Sequence, residues 1–336
     1  MEDQRLSSES ALSPIDRAAR GNEIVGLDLF KKVPEDMPMD RITQLMNDMH
    51  ADLAAGGTDM AYGTRDTQHL RFWAAGAAGA DTRVTGAKTD GKQAAPLVLF
   101  VHGGSWSSGT HLDSLGSAKV AHLTRRGYAF ASVNFTLVPA VTVAAQAQEV
   151  ADALGYLASR AADLGIDPTR LVLMGHSSGA HVAALLGTDT TYLTRAGVAI
   201  DCVRGVVALD GSNYNVMADL LDSPGPVADN ALWGLGRDPA QLVAMSPTHH
   251  ARAPNARAFL LLHVERSGGI RQAVELVAAL QAADTEAELH VFEGEFFEGH
   301  VQMLLRVGRP DYPATAVLDL WLEKHVPVGG TESSQE

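Results

Sequence analysis

The most restrictive feature of this 336-residue chain is a short turn, Gly175-His176-Ser177-Ser178-Gly179, set between two apolar runs. The run before it, Leu171–Met174, has the length and composition of a buried strand, and the run after it, Ala180–Leu186, is rich in helix formers. Glycines at the two ends of the turn remove the Cβ atoms that would keep strand and helix apart. The pattern therefore predicts a tight strand-to-helix turn with Ser177 at its tip in a strained backbone conformation.

A serine at such a tip has a chemical advantage, because its hydroxyl stands clear of neighbouring side chains. The helix that begins there directs its N-terminal amides and positive dipole end at any anion formed beside the serine. We therefore predict that Ser177 is a nucleophile rather than part of a structural turn. The backbone amide of Ser178 is predicted to donate to a developing oxyanion.

A second glycine turn follows another apolar strand. The run Leu97–Val101 leads into His102-Gly103-Gly104-Ser105-Trp106, and Gly103 lies 74 residues before Ser177. Consecutive glycines let backbone amides approach a substrate carbonyl, so the amides of Gly103 and Gly104 are predicted to complete an oxyanion hole with that of Ser178. Trp106, together with Phe296-Phe297, is predicted to form apolar substrate-binding walls, with packing of the loops as the alternative.

Composition restricts the partners and the compartment. A formal net charge of −14 argues against nucleic acid, anionic membranes and polyphosphate-like substrates. The single cysteine, Cys202, cannot form an internal disulfide, and no run approaches the roughly 18 apolar residues of a membrane span. The N-terminal residues are charged and no apolar segment follows them, which argues against a secretory signal. We predict a cytoplasmic protein whose partner is a small molecule with an apolar or aromatic acyl part.

Strands and helices alternate along most of the chain, which predicts an α/β fold with a doubly wound, mostly parallel sheet and helices on both faces. Predicted strands are Thr67–Ala74, Leu97–Val101, Tyr128–Asn134, Leu171–Met174, Gly205–Leu209, Phe259–His263 and Glu288–Phe292; predicted helices include residues 38–55, Val141–Ala162 and Ala314–His325. The predicted organisation is an N-terminal helical segment over residues 1–60 that serves as a cap, a core over 61–326 and a disordered tail over 327–336. Residues 211–257 are rich in proline and form either a lid insertion or surface loops.

The predicted general base is His300. It follows the last predicted strand, in a loop at the carboxyl edge of the sheet, where ligands gather in open α/β folds. His176 and His181 flank the serine, but neither is predicted to be its base, since His176 occupies the variable position of the turn and His181 lies on the helix. The pair His249-His250 is a poor metal site because adjacent side chains diverge.

The HGGxW loop, the GHSSGAH turn and the pair Gly299-His300 resemble the α/β-hydrolase superfamily. Within it they resemble the carboxylesterases related to hormone-sensitive lipase and to kynurenine formamidase (arylformamidase). The resemblance covers roughly residues 60–326, and Asn134–Pro139 is similar to the N-Y-x-L-x-P segment of the same group. It implies hydrolysis of small carboxylic esters or of N-formyl aryl amides, without a cofactor or metal, and is compatible with a homodimer.

One departure from the family pattern concerns the acid of the triad. The loop after Phe259–His263 reads Val264-Glu265-Arg266-Ser267-Gly268-Gly269, with serine where the family carries aspartate. Glu265, the first carboxylate after that strand, is predicted to accept the hydrogen bond that Nδ1–H of His300 donates and so to hold the tautomer of the ring. The main rival is Asp210, at the end of the preceding strand. If neither serves, the triad is incomplete. The missing aspartate is the one feature that favours the alternative function, a non-catalytic ligand-binding descendant of a hydrolase.

Overall fold

The computed structural model describes residues 39–76 and 93–329. The strands are β1 (Thr58–Ala61), β2 (His69–Trp73), β3 (Ala95–Val101), β4 (Ala129–Val133), β5 (Ile166–His176), β6 (Val203–Leu209), β7 (Ala258–Glu265) and β8 (Glu286–Glu295). The helices are α1 (Met39–Ala51), α2 (Ser117–Arg125), α3 (Val143–Ser159), α4 (Ala161–Leu164), α5 (Ser178–Thr188), α6 (Thr190–Arg195), α7 (Val216–Asp222), α8 (Pro226–Leu235), α9 (Pro239–Ala244), α10 (Pro247–His250), α11 (Ser267–Ala282), α12 (Phe296–Arg306) and α13 (Pro313–His325), with a 3-10 turn at Ile200–Cys202.

The strands form one sheet in the order β1-β2-β4-β3-β5-β6-β7-β8. Strands β3 to β8 pair in parallel, and β2 pairs antiparallel with both β1 and β4. The predicted doubly wound, mostly parallel fold is therefore confirmed. Strand β1 was not predicted, because four residues with half-exposed side chains carry little hydrophobic pattern.

Burial on both faces explains why the central strands have continuous apolar sequences. All seven residues of β3 are buried. Leu97, Leu99 and Val101 pack into the cluster that contains α3, whereas Val98 and Phe100 pack into the cluster that contains α13. Because helices cover both faces, residues that follow the carboxyl ends of the strands can converge at one edge, and that edge carries the candidate site.

The end of the sheet differs from the sequence-based expectation. Strand β8 continues to Glu295 and α12 begins at the next residue, so His300 lies on a helix, and its prediction as a loop residue was wrong. Hydrophobic periodicity did not mark the start of α12 because Glu293–His300 alternates acidic residues with glycine and phenylalanine. The part of the predicted N-terminal segment before residue 39 and the end of the predicted tail lie outside the described residues.

Three of the five prolines in the segment 211–257 begin helices rather than break them. Helices α8, α9 and α10 each carry proline at their first position, where the missing N–H has no intrahelical partner to lose. Helix α8 packs over the loop after β3: a Cβ added at Gly234 would lie 2.8 Å from Cε3 of Trp106. The insertion thus contacts the predicted oxyanion loop.

Candidate active site

The turn at Ser177 has the strained geometry that its sequence predicts. Ser177 has φ 56° and ψ −123°, and its amide donates to the carbonyl of Leu209 at 3.0 Å. A Cβ at Gly175 would collide with the backbone of Gly179, and a Cβ at Gly179 would collide with the carbonyl of Val101. The two glycines therefore let β5, α5 and β3 meet closely enough to hold the serine in this conformation.

The loop after β3 lies directly against this turn. A Cβ at Gly103 would lie 3.0 Å from Cβ of Ser177, and the amide of Trp106 donates to Oγ of Ser178 at 3.3 Å. Gly104 has φ 118°, which favours glycine, and its carbonyl accepts the amides of the two residues that follow Trp106, each at 3.0 Å. The structure therefore brings together the three residues predicted to supply oxyanion donors.

Trp106 is buried rather than open to a cleft. Its ring is 4% exposed and meets the ring of His181 edge-on, with the centroids 5.4 Å apart. Together with Gly234 of α8, His181 encloses the indole. Of the two roles predicted for Trp106, this buried position fits packing of the loops rather than a wall of the substrate site. The ring of Phe297 is 6.5 Å from that of His300, centroid to centroid, which keeps it beside the site.

His300 lies beside the serine turn and is held there by its neighbour. The rings of His176 and His300 are 4.3 Å apart, centroid to centroid, and Nε2 of His176 donates to the carbonyl of His300 at 3.0 Å. Burial holds the pKa of His176 well below its usual range, and the proximity of His300, whose protonated form would repel a second positive charge, lowers it further. His176 therefore donates as a neutral ring. Sequence reasoning missed this role of His176, for which the variable turn position carried no signal.

The carboxylate that contacts His300 is Asp210. Nδ1 of His300 lies 2.5 Å from Oδ2 of Asp210, a fully buried residue that directly follows β6 and has φ 44°. The same oxygen accepts from Nε of Arg266 at 3.0 Å, while Oδ1 accepts the amide of Val264 at 3.3 Å and lies 2.7 Å from Nδ1 of His263. The carboxylate thus has contacts at both oxygens, as a buried charge requires.

Glu265 is not brought to His300, so the structure contradicts the predicted pairing. Its side chain is exposed at the end of β7. The pairing of β7 with β8 shifts register between Val264 and Glu265, which interrupts the regular alternation of side chains at that point. The carboxylate beside His300 is instead that of Asp210, which follows the adjacent strand β6.

In this cluster the pKa values of Asp210 and of His300 are both lowered. Burial by itself raises the pKa of Asp210, but the Arg266 guanidinium and the His263 and His300 rings hold it well below its usual range. The pKa of His300 is lowered, mainly by burial and further by Arg266 and His263, against the opposing effect of Asp210. An ionised carboxylate beside a neutral imidazole can orient the ring, and it stabilises the positive charge that the ring acquires when it takes a proton.

The helix that carries His300 is anchored at both ends. Arg41 of α1 pairs with Glu298, so the described part of the N-terminal segment packs on α12. Near the other end, the fully buried Lys119 of α2 donates to the carbonyl of Leu304, and burial lowers the pKa of this lysine to about 7. This contact provides a donor for one of the carbonyls left free where a helix ends.

Among the described residues, one group has metal-ligand geometry: Glu286, Glu288 and His325. It lies by the start of β8, and the ammonium of Lys324 already pairs with both carboxylates. A resident cation would compete with that ammonium, so this group gives no support for a metal centre. Within residues 39–76 and 93–329, no helix is long and apolar enough to cross a bilayer.

Comparison with solved structures identifies the fold. Esterase 2 of Thermogutta terrifontis superposes with a TM-score of 0.61 at 20% sequence identity, covering 83% of this chain and 95% of the other. The same esterase has also been solved phosphonylated by sarin. The chain therefore has the α/β-hydrolase fold, as its sequence motifs suggested.

Sequence comparison relates the central part of the chain to esterases and a formamidase. A family model described as BD-FAE matches residues 86–209. The chain is 32% identical over 95 residues to a probable isoprenylcysteine alpha-carbonyl methylesterase of Oryza sativa subsp. japonica, covering 28% of this chain and 22% of that protein. Kynurenine formamidase of Drosophila melanogaster is 34% identical over 91 residues, covering 27% and 29%. The chain thus spans less than a third of the length of these relatives, and the resemblance to α/β-hydrolase esterases is confirmed over that segment.

Proposed function

We propose that this chain is a serine hydrolase that cleaves small carboxylic esters through an acyl intermediate on Ser177. The observation that carries the proposal is the hydrogen bond from His300 to the buried Asp210, formed beside the strained turn that presents Ser177. Acyl transfer requires a nucleophile, a base and a carboxylate that orients the base, and candidates for all three lie at the carboxyl edge of the sheet. The glycine loop packed against Ser177 supports it, because backbone amides without side chains in their way are the usual donors to an oxyanion.

The proposed reaction uses each group in turn. Nε2 of His300 takes the hydroxyl proton of Ser177 as the oxygen attacks the substrate carbonyl, and Asp210 stabilises the imidazolium through Nδ1. The amides of Gly103, Gly104 and Ser178 stabilise the oxyanion. The imidazolium then gives its proton to the leaving alcohol, and water hydrolyses the acyl-serine in the same way.

A formamidase activity is the second candidate, and the tryptophan of the HGGxW loop favours it together with the similarity to kynurenine formamidase. The two candidates share the serine mechanism and differ in the leaving group, an alcohol or an aryl amine. In both, the acidic net charge of the chain and the ring of Phe297 beside His300 support a small acyl or aromatic substrate rather than a polyanion.

The test is a fluorophosphonate probe combined with two substrate series. We expect the full chain to react covalently at Ser177 and to hydrolyse short p-nitrophenyl esters faster than N-formyl anilines of similar size. Faster hydrolysis of the formamides would favour the second candidate. A chain that is folded but neither labels nor turns over either series is a binding protein, and the proposal fails.

We predict that Gly104→Ala lowers kcat by about 10²- to 10³-fold while KM changes little, because oxyanion donors act mainly on charge that develops in the transition state. The added Cβ would collide with the carbonyl of Ser108 at a position where φ is 118°, so the loop must move. The matched control is Gly197→Ala, where φ is also positive but no atom lies within 4 Å of the added Cβ. Equal changes in kcat and KM would indicate steric exclusion instead.

We also predict the pH dependence of the free enzyme. His300 must be neutral to act as base, and its pKa is lowered from 6.5, so kcat/KM should fall on acidification with a midpoint below pH 6.5. The measurement is kcat/KM from pH 4.5 to 8.5 with a substrate that does not ionise. A midpoint clearly above pH 7 would contradict this environment for His300.

A further inference from the structure

The glycine loop after β3 contains two residues that have left-handed backbones although neither is glycine. Ser105 has φ 51° and Trp106 has φ 63°, and both directly follow Gly104. This conformation is unfavourable for a side chain as large as an indole. Such strain persists only where the surrounding structure holds it in place. The loop that carries Gly103 and Gly104 therefore depends on anchors outside itself.

The anchors lie on both sides of Trp106. Its amide donates to Oγ of Ser178, in the first turn of α5. Its carbonyl accepts two hydrogen bonds, from Nε2 of Gln146 on α3 at 2.7 Å and from the amide of Val138 at 3.0 Å. Both peptide groups that flank Trp106 are thus fixed by residues that lie far from the loop in the chain.

Gln146 is an unusual residue for its position. It is fully buried on α3, and its neighbours in that helix, Val143, Ala147 and Val150, belong to the apolar cluster on one face of the sheet. Its Oε1 has no hydrogen-bond partner in the described part of the chain. A buried amide that is only half paired costs stability relative to an apolar side chain of similar size. Core packing alone therefore does not account for a glutamine here, whereas the hydrogen bond to Trp106 does.

We propose that Gln146 and the hydroxyl of Ser178 are positioning groups for the oxyanion hole. Gln146 holds the carbonyl of Trp106, Ser178 holds its amide, and together they keep the strained loop in the conformation in which Gly103 and Gly104 donate to the oxyanion. The inference rests on the proposed hydrolase function, because it concerns the donors of that reaction. Gln146 acts through the loop and does not touch the substrate, so the site extends to α3, on which no catalytic group lies.

The first experiment is Gln146→Met, which keeps the length of the side chain and removes the donor. We expect kcat with a short p-nitrophenyl ester to fall about tenfold while KM changes less than about threefold, because misplaced oxyanion donors weaken binding of the transition state more than that of the substrate.

The matched control is Gln148→Met, the same change two residues further along α3. Nε2 of Gln148 donates to Oδ1 of Asp152 at 2.9 Å and to the carbonyl of Tyr192 at 3.2 Å, and neither acceptor belongs to the glycine loop. This control should change kcat less than about twofold. An unchanged kcat in Gln146→Met, or an equal loss in the control, would overturn the proposal.

A second measurement separates the oxyanion donors from general packing. It compares an ester with the thiono ester in which sulfur replaces the carbonyl oxygen. Sulfur accepts hydrogen bonds weakly, so oxyanion donors contribute less to hydrolysis of the thiono ester. Gln146→Met should therefore slow the ester more than the thiono ester, and the ratio of the two kcat/KM values should fall about fivefold. A packing defect would slow both substrates equally, and an unchanged ratio would reduce Gln146 to a structural residue.

Ser178→Ala tests the same loop from its other side. It removes the acceptor of the Trp106 amide and retains the amide of residue 178. If thermal unfolding shows that Gln146→Met does not fold, Ser178→Ala decides: the ratio of ester to thiono ester should fall in the same way, and an unchanged ratio refutes the proposal. If the unmodified chain neither hydrolyses the ester nor reacts with a fluorophosphonate, the hydrolase function fails and this inference fails with it. Normal activity of the unmodified chain, with an unchanged ratio in the variants, refutes this inference alone.

Discussion

Ser177→Ala should lower kcat by about 10⁴- to 10⁶-fold and leave the fold unchanged. Without the hydroxyl, only substrate binding and the oxyanion donors remain, and these retain a small fraction of the catalysis of an intact triad. The strained turn should persist in the variant because alanine keeps the Cβ and the flanking glycines still allow β5 and α5 to meet. The measurement is kcat with a short p-nitrophenyl ester, together with thermal unfolding of both proteins.

The control is Ser159→Ala, a serine at the exposed end of α3 whose hydroxyl donates to the carbonyl of Tyr156. It should retain essentially all activity. Residual activity above a few per cent in Ser177→Ala, with normal unfolding, would mean that another group attacks the substrate.

Asp210→Asn should lower kcat by about 10⁴-fold at neutral pH. The amide is neutral and can donate to Nδ1 of His300, which would place the ring proton on Nε2 and leave no lone pair to accept the proton of Ser177. It would also leave Arg266 without the buried anion with which it pairs, so we expect a destabilisation of about 3–5 kcal/mol. The measurement is kcat well below the unfolding temperature of the variant.

Glu265→Gln is the matched control, since it makes the same chemical change at an exposed carboxylate of the neighbouring strand. Activity close to that of the unmodified chain is expected. A large loss of activity in Glu265→Gln, with little change in Asp210→Asn, would mean that Glu265 is the acid of the triad, as sequence spacing predicts.

The sequence identified the parts of the candidate site whose chemistry depends on local structure. A strand, a glycine-bounded turn and a helix are contiguous in the chain, so Ser177, Ser178 and the two glycines of the turn could be predicted from neighbouring residues. The same holds for Gly103 and Gly104, because a strand followed by two glycines is also a local pattern. The parallel sheet followed from the alternation of strands and helices.

Only the tertiary structure assigned the carboxylate beside His300. Asp210 directly follows β6 and Glu265 is the last residue of β7, and these two strands are adjacent in the sheet, so chain spacing cannot separate them. In the structure Glu265 is exposed at the end of β7, where the pairing with β8 shifts register, whereas Asp210 has a left-handed backbone conformation and is fully buried beside His300. Tertiary packing also brings three further side chains to the Asp210 carboxylate, namely His263, Arg266 and His300. These contacts join residues 53 to 90 positions apart, and such distances are set by how strands and helices pack rather than by any local pattern of residues.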